Sequence, residues 1–211
     1  MRGAPRARDR LPHSSAPPPP QCVSLSPDDV ENAAAAVKYV DPSVYSSVVP
    51  AGLSGAYPTL TALVAGARTA GAGSTTVHST ANNVFTHYGK SGSWGKDIWE
   101  DLVQADLGVD MWLETWIRSP AMPNYCRPEY PYDSRNIATM TYAGGETFKY
   151  TQDHTKMGIA VNGTSSQYYV CIGDNNRMTS QWARGGGAVC FRNAAVYKSI
   201  LAMVTSVQPC V

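Results

Sequence analysis

Two cysteines bracket a turn-rich segment late in the chain, and this arrangement restricts the fold more than any other feature. Cys171 and Cys190 each lie in a run with strand character, at residues 167–172 and 188–191. The segment between them is rich in Gly, Asp and Asn, which favour turns. A disulfide across it would close a loop of about 19 residues and contribute on the order of 3 kcal/mol through chain entropy. It would also fix Asn176 relative to the strand expected to carry His154.

The remaining pattern alternates helices and strands and predicts an α/β fold, a mixed sheet flanked by helices. The first helix is predicted from Ser26, which suits an N-cap, through Pro27 at the first helical position to about Val40. Further helices are predicted at residues 58–67, 91–107 and 193–204, and further strands at residues 75–84, 109–118 and 147–161. The prolines of residues 119–136 predict a long loop.

Composition excludes several classes of protein. A length of 211 residues fits one ordinary domain, and 43% hydrophobic residues are enough for a core, so disorder of the whole chain is excluded. The formal net charge of +1 excludes a broadly basic nucleic-acid binder. Any contact with nucleic acid must therefore be local.

The N-terminal segment and one uncharged segment bear on whether the chain is directed to secretion or to a membrane. Residues 1–21 are predicted to form a disordered leader rich in Arg and Pro, without the hydrophobic centre of a secretory signal, so no signal peptide is expected in this chain. Residues 42–67 carry no charge, but Pro42, Pro50 and Pro58 interrupt them too often for a membrane-spanning helix, and no membrane partner is expected.

The five cysteines show none of the short paired spacings typical of a zinc site, so no metal site is predicted. Four of them lie in the last 86 residues, together with the glycosylation sequon that begins at Asn162. Both features suit an oxidising, secretory-pathway environment.

The residues best suited to chemistry are His154 and Lys156. On a strand, residues i and i+2 project from the same face, so both side chains would point into one site. An imidazole can attack phosphorus or protonate a leaving oxygen, and an ammonium beside it neutralises the nonbridging oxygens of a phosphodiester. The alternative is two polar residues on a solvated strand. The turn at residues 173–177 and the Gly run at residues 184–187, both enclosed by the two cysteines, favour the site.

Three segments carry a family resemblance: HTKMGIAV, YYVCIGDNNRMTSQWARGGGAVC and a final helix followed by QPC. Together with VYSSVVPAGLSGAYP and FTHYGKSGSWGKDIWEDLVQADLGVDMWLETW upstream, they resemble the C-terminal half of the deoxyribonuclease II family, acid endonucleases related to the phospholipase D superfamily. The resemblance extends from about Cys22 to Cys210. It implies a phospholipase D-like half-domain over residues 22–211, the catalytic C-terminal half.

The resemblance implies a metal-independent nuclease that needs no cofactor and is built from two similar halves, each giving one His-x-Lys pair to a shared site on DNA. One histidine forms a phosphohistidine, and the other protonates the leaving 5′ oxygen, so that 3′-phosphate ends result. His154 and Lys156 match the second-half pair, and Asn176 matches an asparagine that helps to hold phosphate. The resemblance leaves open whether His154 is nucleophile or acid and leans to acid.

The resemblance also suggests two disulfides, Cys171 with Cys190 and Cys126 with Cys210, which would leave Cys22 without a partner inside the chain. It implies a lysosomal or secreted protein.

The chain departs from the family pattern because it contains one His-x-Lys pair. His13 lies in the leader, and His78 and His87 are expected to be ordinary surface or core residues. We therefore expect a truncated family member that needs a homodimer or a first-half domain to complete its site. The alternative is a noncatalytic DNA-binding or interaction domain that keeps the fold, and a phospholipid phosphodiesterase is less favoured because no lipid-docking segment is evident.

Three other residues are candidates for lesser roles. Asp110 and Glu114 share one face of the strand predicted at residues 109–118, where salt bridges or solvated positions explain them as well as chemistry does. Trp182 lies in the bracketed segment and is a candidate for stacking on a base.

Overall fold

A computed structural model describes residues 23–118, 121–161 and 167–210, so the predicted leader, Cys22 and Asn162 lie outside the described residues. Within these ranges the chain is α/β, as predicted, with nine strands in one mixed sheet. The strands are β1 (Ala72–His78), β2 (Val84–Lys90), β3 (Asp110–Thr115), β4 (Ser134–Thr141), β5 (Thr147–Lys149), β6 (Lys156–Val161), β7 (Tyr169–Gly173), β8 (Gly186–Arg192) and β9 (Val204–Val207).

The strand order is β1-β2-β8-β7-β6-β3-β4-β5, with β9 paired to β4. All the described pairs are antiparallel except β3 with β4, which run parallel. The sheet therefore brings together strands that are far apart in sequence, and β6 lies between β7 and β3. This position places the start of β6 beside the end of β3 and the end of β7.

The helices flank this sheet. They are α1 (Pro27–Val37), α2 (Pro58–Val64), the single turn α3 (Ala105–Leu107) and α4 (Ala194–Met203). The predicted cap of α1 is confirmed, because the Ser26 hydroxyl accepts a hydrogen bond from the Asp29 N–H at 3.2 Å. The helix predicted at residues 91–107 is instead a 3₁₀ turn at Gly92–Trp94, then a π-helical segment at Trp99–Gln104 that leads into α3. None of the helices in the described residues is long and apolar enough to cross a membrane.

The core has a layer on each face of the sheet. On one face Trp99, Ile98 and Val103 pack against Tyr88 and Leu113 of the strands. On the other face Tyr197 and its neighbours on α4 pack against β6 and β7. Every residue of β3 except Trp112 is buried, although the sequence alternates polar and apolar residues there. The alternation predicted the strand, and its central place in the sheet explains why both faces are buried.

Other predicted elements differ from the structure in their limits. The strand expected at residues 147–161 is two strands, because a turn at residues 150–152 separates β5 from β6. Residues 134–136, the end of the predicted loop, instead begin β4, an eight-residue strand in which half of the residues are buried. The prolines that suggested loop all precede this strand, so they mark its beginning and do not argue against it.

Candidate active site

His154 lies two residues before β6 and not within it, so the strand expectation for this residue was wrong. Its side chain is exposed and stacks on the indole of Trp116, with ring centroids 3.9 Å apart and planes inclined by 29°. The Trp116 N–H donates a hydrogen bond to the carbonyl oxygen of Thr151 at 3.0 Å. The imidazole is therefore placed by a neighbouring aromatic ring and not by the pleat of a strand.

Lys156 is the first residue of β6 and is directly opposite Thr115 of β3. Its ammonium donates to the main-chain carbonyl oxygen of His154 at 2.5 Å. Partial burial lowers the pKa of Lys156, while Asp153 and Asp174 act in the opposite direction. The Lys156 ammonium therefore lies next to the main chain of His154, the residue that carries the imidazole.

Asp153 fixes the turn that presents His154. One carboxylate oxygen accepts the Thr155 N–H at 2.9 Å, and the other accepts the hydroxyl of Tyr142 at 2.5 Å. An aspartate that bonds the N–H two residues ahead forms a turn without help from a strand. This is why the chain can turn sharply here and still enter β6 one residue after Thr155.

Glu114 lies on β3 next to this turn and is 1% exposed. Neither of its carboxyl oxygens has a hydrogen-bond partner in the described part of the chain. Burial, with a smaller effect from Asp153, raises the pKa of Glu114 to about 8. The expected solvated or salt-bridged role is therefore wrong for Glu114, whereas Asp110 does form an ion pair, with Arg127.

The turn after β7 fits against the Gly run that begins β8. A Cβ at Gly186 would lie 1.8 Å from the Asn175 amide oxygen and 2.5 Å from an Asp174 carboxylate oxygen, so no side chain fits there. The same Asp174 oxygen accepts the Gly187 N–H at 2.9 Å. Both suggested disulfides are present: Cys171 pairs with Cys190 and Cys126 with Cys210.

Asn176 is buried within this turn, and its amide oxygen has no partner in the described residues. The next residue, Arg177, donates its N–H to the hydroxyl of Thr115 at 3.2 Å. Since Thr115 is opposite Lys156 in the sheet, Asn176 is held near the start of β6. The structure thus brings His154, Lys156 and Asn176 to the same end of the sheet.

Two buried cations support the bracketed segment, and no local sequence pattern indicated either role. The guanidinium of Arg177 is fully buried and bonds Glu100, Asn136 and the carbonyl oxygen of Pro123. The Lys90 ammonium, at the end of β2, donates to the carbonyl oxygens of Gln181, at 3.0 Å, and of Trp182 and Arg184. Charged side chains are rarely buried unless they are paired, and these partners account for the burial of both cations.

The other histidines of the described residues lie on β1 and β2, and His87 is level with Met157 of β6 but three strands away from it in the sheet. His78 is on β1, where its ring nitrogen lies 3.5 Å from Asp29, and His87 is half-buried on β2, where burial lowers its pKa. Trp182 is half-buried, and its N–H has no partner in the described residues. Within the described ranges, no three His, Cys, Asp or Glu side chains converge as a metal site would require.

Comparison with known proteins defines the class. A family profile described as deoxyribonuclease II matches residues 20–210. The chain therefore belongs to the deoxyribonuclease II family. It is 31% identical to plancitoxin-1 of Acanthaster planci over 90% of this chain and 53% of that protein. It is 34% identical to deoxyribonuclease-2 of Caenorhabditis elegans over 78% of this chain and 44% of that protein, and 28% identical to human deoxyribonuclease-2-beta over 90% and 53%. The chain spans about half the length of these relatives.

Proposed function

We propose that this chain supplies the second-half His-x-Lys pair of an acid, metal-independent endodeoxyribonuclease. The observation that carries the proposal is the placement of His154, Lys156 and Asn176 at one end of the sheet in a member of the deoxyribonuclease II family. These residues supply half of what a phosphodiesterase without a metal requires: one imidazole, a cation and a neutral group that holds phosphate.

The reaction divides into two displacements. A histidine nitrogen forms a bond to phosphorus while the bond from phosphorus to the 5′ oxygen breaks, and a second, protonated histidine gives its proton to that leaving oxygen. Water then attacks the phosphohistidine, releases the histidine and leaves a 3′-phosphate end. Lys156 stabilises negative charge on the nonbridging oxygens, and Asn176 holds the phosphate. We assign His154 the acid role, in keeping with its second-half position.

The first displacement needs two imidazoles on opposite sides of one phosphorus, and this sequence has one His-x-Lys pair. The second pair comes either from another copy of the chain, related by a two-fold axis, or from a first-half domain. A protonated histidine donor with a reference pKa near 6.5 favours acidic conditions, which suits a lysosomal or secreted protein.

Plasmid cleavage in EDTA near pH 5 tests the proposal. The parent chain is expected to nick and linearise the plasmid, with activity per molecule falling on dilution as a dimer separates. His154→Ala is expected to abolish cleavage, whereas His78→Ala and His87→Ala keep it. Labelling of the new ends should show 3′-phosphate. Cleavage by His154→Ala at the parent rate, or a requirement for divalent metal, would overturn the proposal.

A second candidate is a noncatalytic DNA-binding domain, which the single His-x-Lys pair favours. It predicts that the parent chain binds DNA at every concentration but never cleaves it. Concentrated parent protein near pH 5 separates the two functions, because a dimeric nuclease is then most active and a binding domain is still inactive.

A further inference from the structure

Trp116 lies just beyond β3, and its indole contacts two side chains, an imidazole and a guanidinium group. The imidazole of His154 and the guanidinium carbon of Arg118 each lie 3.9 Å from the centre of its ring. Two groups at this distance cannot share one face of an indole without overlapping, so the ring separates them. The Trp116 N–H is fixed by its bond to Thr151, so the indole cannot turn freely between its two neighbours.

The two side chains that stack on Trp116 are both accessible to a ligand. His154 and Arg118 are exposed, whereas Trp116 is half-buried. Among the described residues, no carboxylate forms an ion pair with Arg118, and none hydrogen-bonds a ring nitrogen of His154. A guanidinium stacked on an aromatic ring keeps its edge N–H groups free, and these match the oxygens of a phosphate.

The geometry points to Arg118 as a phosphate-binding residue next to the site, and to Trp116 as the positioning residue that holds Arg118 at a set separation from His154. The inference rests on the proposed function, because it assigns Arg118 to the DNA phosphate that neighbours the one attacked. His154 and Arg118 are no farther apart than twice 3.9 Å. Consecutive phosphates of one strand lie about 3.4 Å apart along the helix axis and farther through space, so one strand can reach both groups.

The salt dependence of DNA binding measures the role of Arg118. Binding of a short fluorescent duplex is followed by anisotropy in EDTA near pH 5, over a range of salt concentrations. Each phosphate contact contributes about 0.9 to the slope of log affinity against log salt. Arg118→Gln should therefore reduce the slope by about 0.9. The matched control is Lys198→Gln, an exposed cation on α4, which should leave the slope unchanged.

The role of Trp116 is separated from a general structural role by rescue. Trp116→Leu removes the aromatic face and should reduce the slope as Arg118→Gln does, while Trp116→Phe keeps the face and should retain the parent slope. The double variant Trp116→Leu/Arg118→Gln should show no further loss. An unchanged melting temperature identifies variants that fold. The proton shifts of the His154 ring should also move in Trp116→Leu, as the ring current of the indole is lost.

The outcomes distinguish this inference from the proposed function. If the parent chain binds DNA and Arg118→Gln keeps the parent slope, the role of Arg118 is wrong, and the role of His154 is still decided by cleavage. If the salt slope falls as much in Trp116→Phe as in Trp116→Leu, stacking does not position Arg118. If the parent chain does not bind DNA at all, both the proposed function and this inference are overturned.

Discussion

The turn at residues 174–177 and the segment around His154 meet at one end of the sheet, but they are held by different forces. Buried groups enclose the turn: Asn175, Asn176 and Arg177 are each 9% exposed or less, and the Cys171–Cys190 bond ties the adjoining strands. His154 is exposed and rests against one indole. The comparison teaches that the turn proposed to hold phosphate is enclosed by many buried partners, whereas the imidazole proposed to carry the proton rests on one exposed stacking contact.

The largest expected effect concerns Arg177, which anchors the turn. Arg177→Met removes its bonds to Asn136 and Pro123 and leaves Glu100, whose side chain is 10% exposed, without its cation. Removing one partner of a buried ion pair costs about 3–5 kcal/mol. The free energy of unfolding should fall by that amount in urea titrations followed by tryptophan fluorescence. Lys198→Met, at an exposed site, is the control and should stay within about 0.5 kcal/mol of the parent. Equal losses in both variants would show that the turn is not anchored by Arg177.

The next effect concerns the disulfide across the same turn. Cys171→Ala/Cys190→Ala should lower the free energy of unfolding by about 3 kcal/mol, because the unfolded chain regains the freedom of a loop of 19 residues. Urea titration under oxidising conditions measures it. Cys22→Ala is the control, since the two disulfides in the described part of the chain use the other four cysteines. A double variant as stable as the parent would mean that packing alone holds the turn.

The turn was largely predictable from sequence, and its anchors were not. Turn-forming residues, flanking strands and two bracketing cysteines are all local signals, so they predicted the position of Asn176. The burial of Arg177 and Lys90 depends on segments more than 50 residues away in the chain, such as Pro123 for Arg177 and Gln181 for Lys90. No local pattern reports such contacts. The buried carboxyl of Glu114 was missed for the same reason, because only the pairing of β3 with β6 encloses it.

The position of His154, unlike that of the turn, was predicted incorrectly from a local pattern. The His-x-Lys spacing predicted a shared face on a strand, yet the strand begins at Lys156 because Asp153 closes a turn first. Nothing in the sequence singled out Trp116, because tryptophan is often a core residue. The register of β3 with β6, in which Thr115 is opposite Lys156, would continue with Trp116 opposite Thr155. The stacking on His154 instead depends on the turn before β6, which leaves His154 outside the ladder.

A smaller expected effect is a pH dependence of the free energy of unfolding, caused by Glu114 beside the His154 segment. Its pKa in the folded state is about 8 and the reference value is 4.5, so the carboxyl favours the folded state while it is protonated. That stability is complete below pH 4.5 and is lost as pH rises towards 8. Between about pH 5 and pH 7 the parent should lose roughly 2 kcal/mol relative to Glu114→Gln, which does not titrate. Urea titrations at both values measure the difference, and Glu146→Gln at an exposed turn is the control. A constant difference between parent and Glu114→Gln would show that Glu114 is ionised in the folded protein.

The smallest expected effect on stability belongs to the residue with the largest expected effect on chemistry. His154→Ala should change the free energy of unfolding by no more than about 0.5 kcal/mol, because the side chain is exposed and loses a single stacking contact. Urea titration near pH 5, as in the cleavage assay, is the measurement. Thr115→Val provides the contrast, because it removes the acceptor of the buried Arg177 N–H and should cost about 1–3 kcal/mol. If His154→Ala destabilised the protein as much as Thr115→Val, His154 would be part of the rigid turn and could not adjust to substrate independently of it.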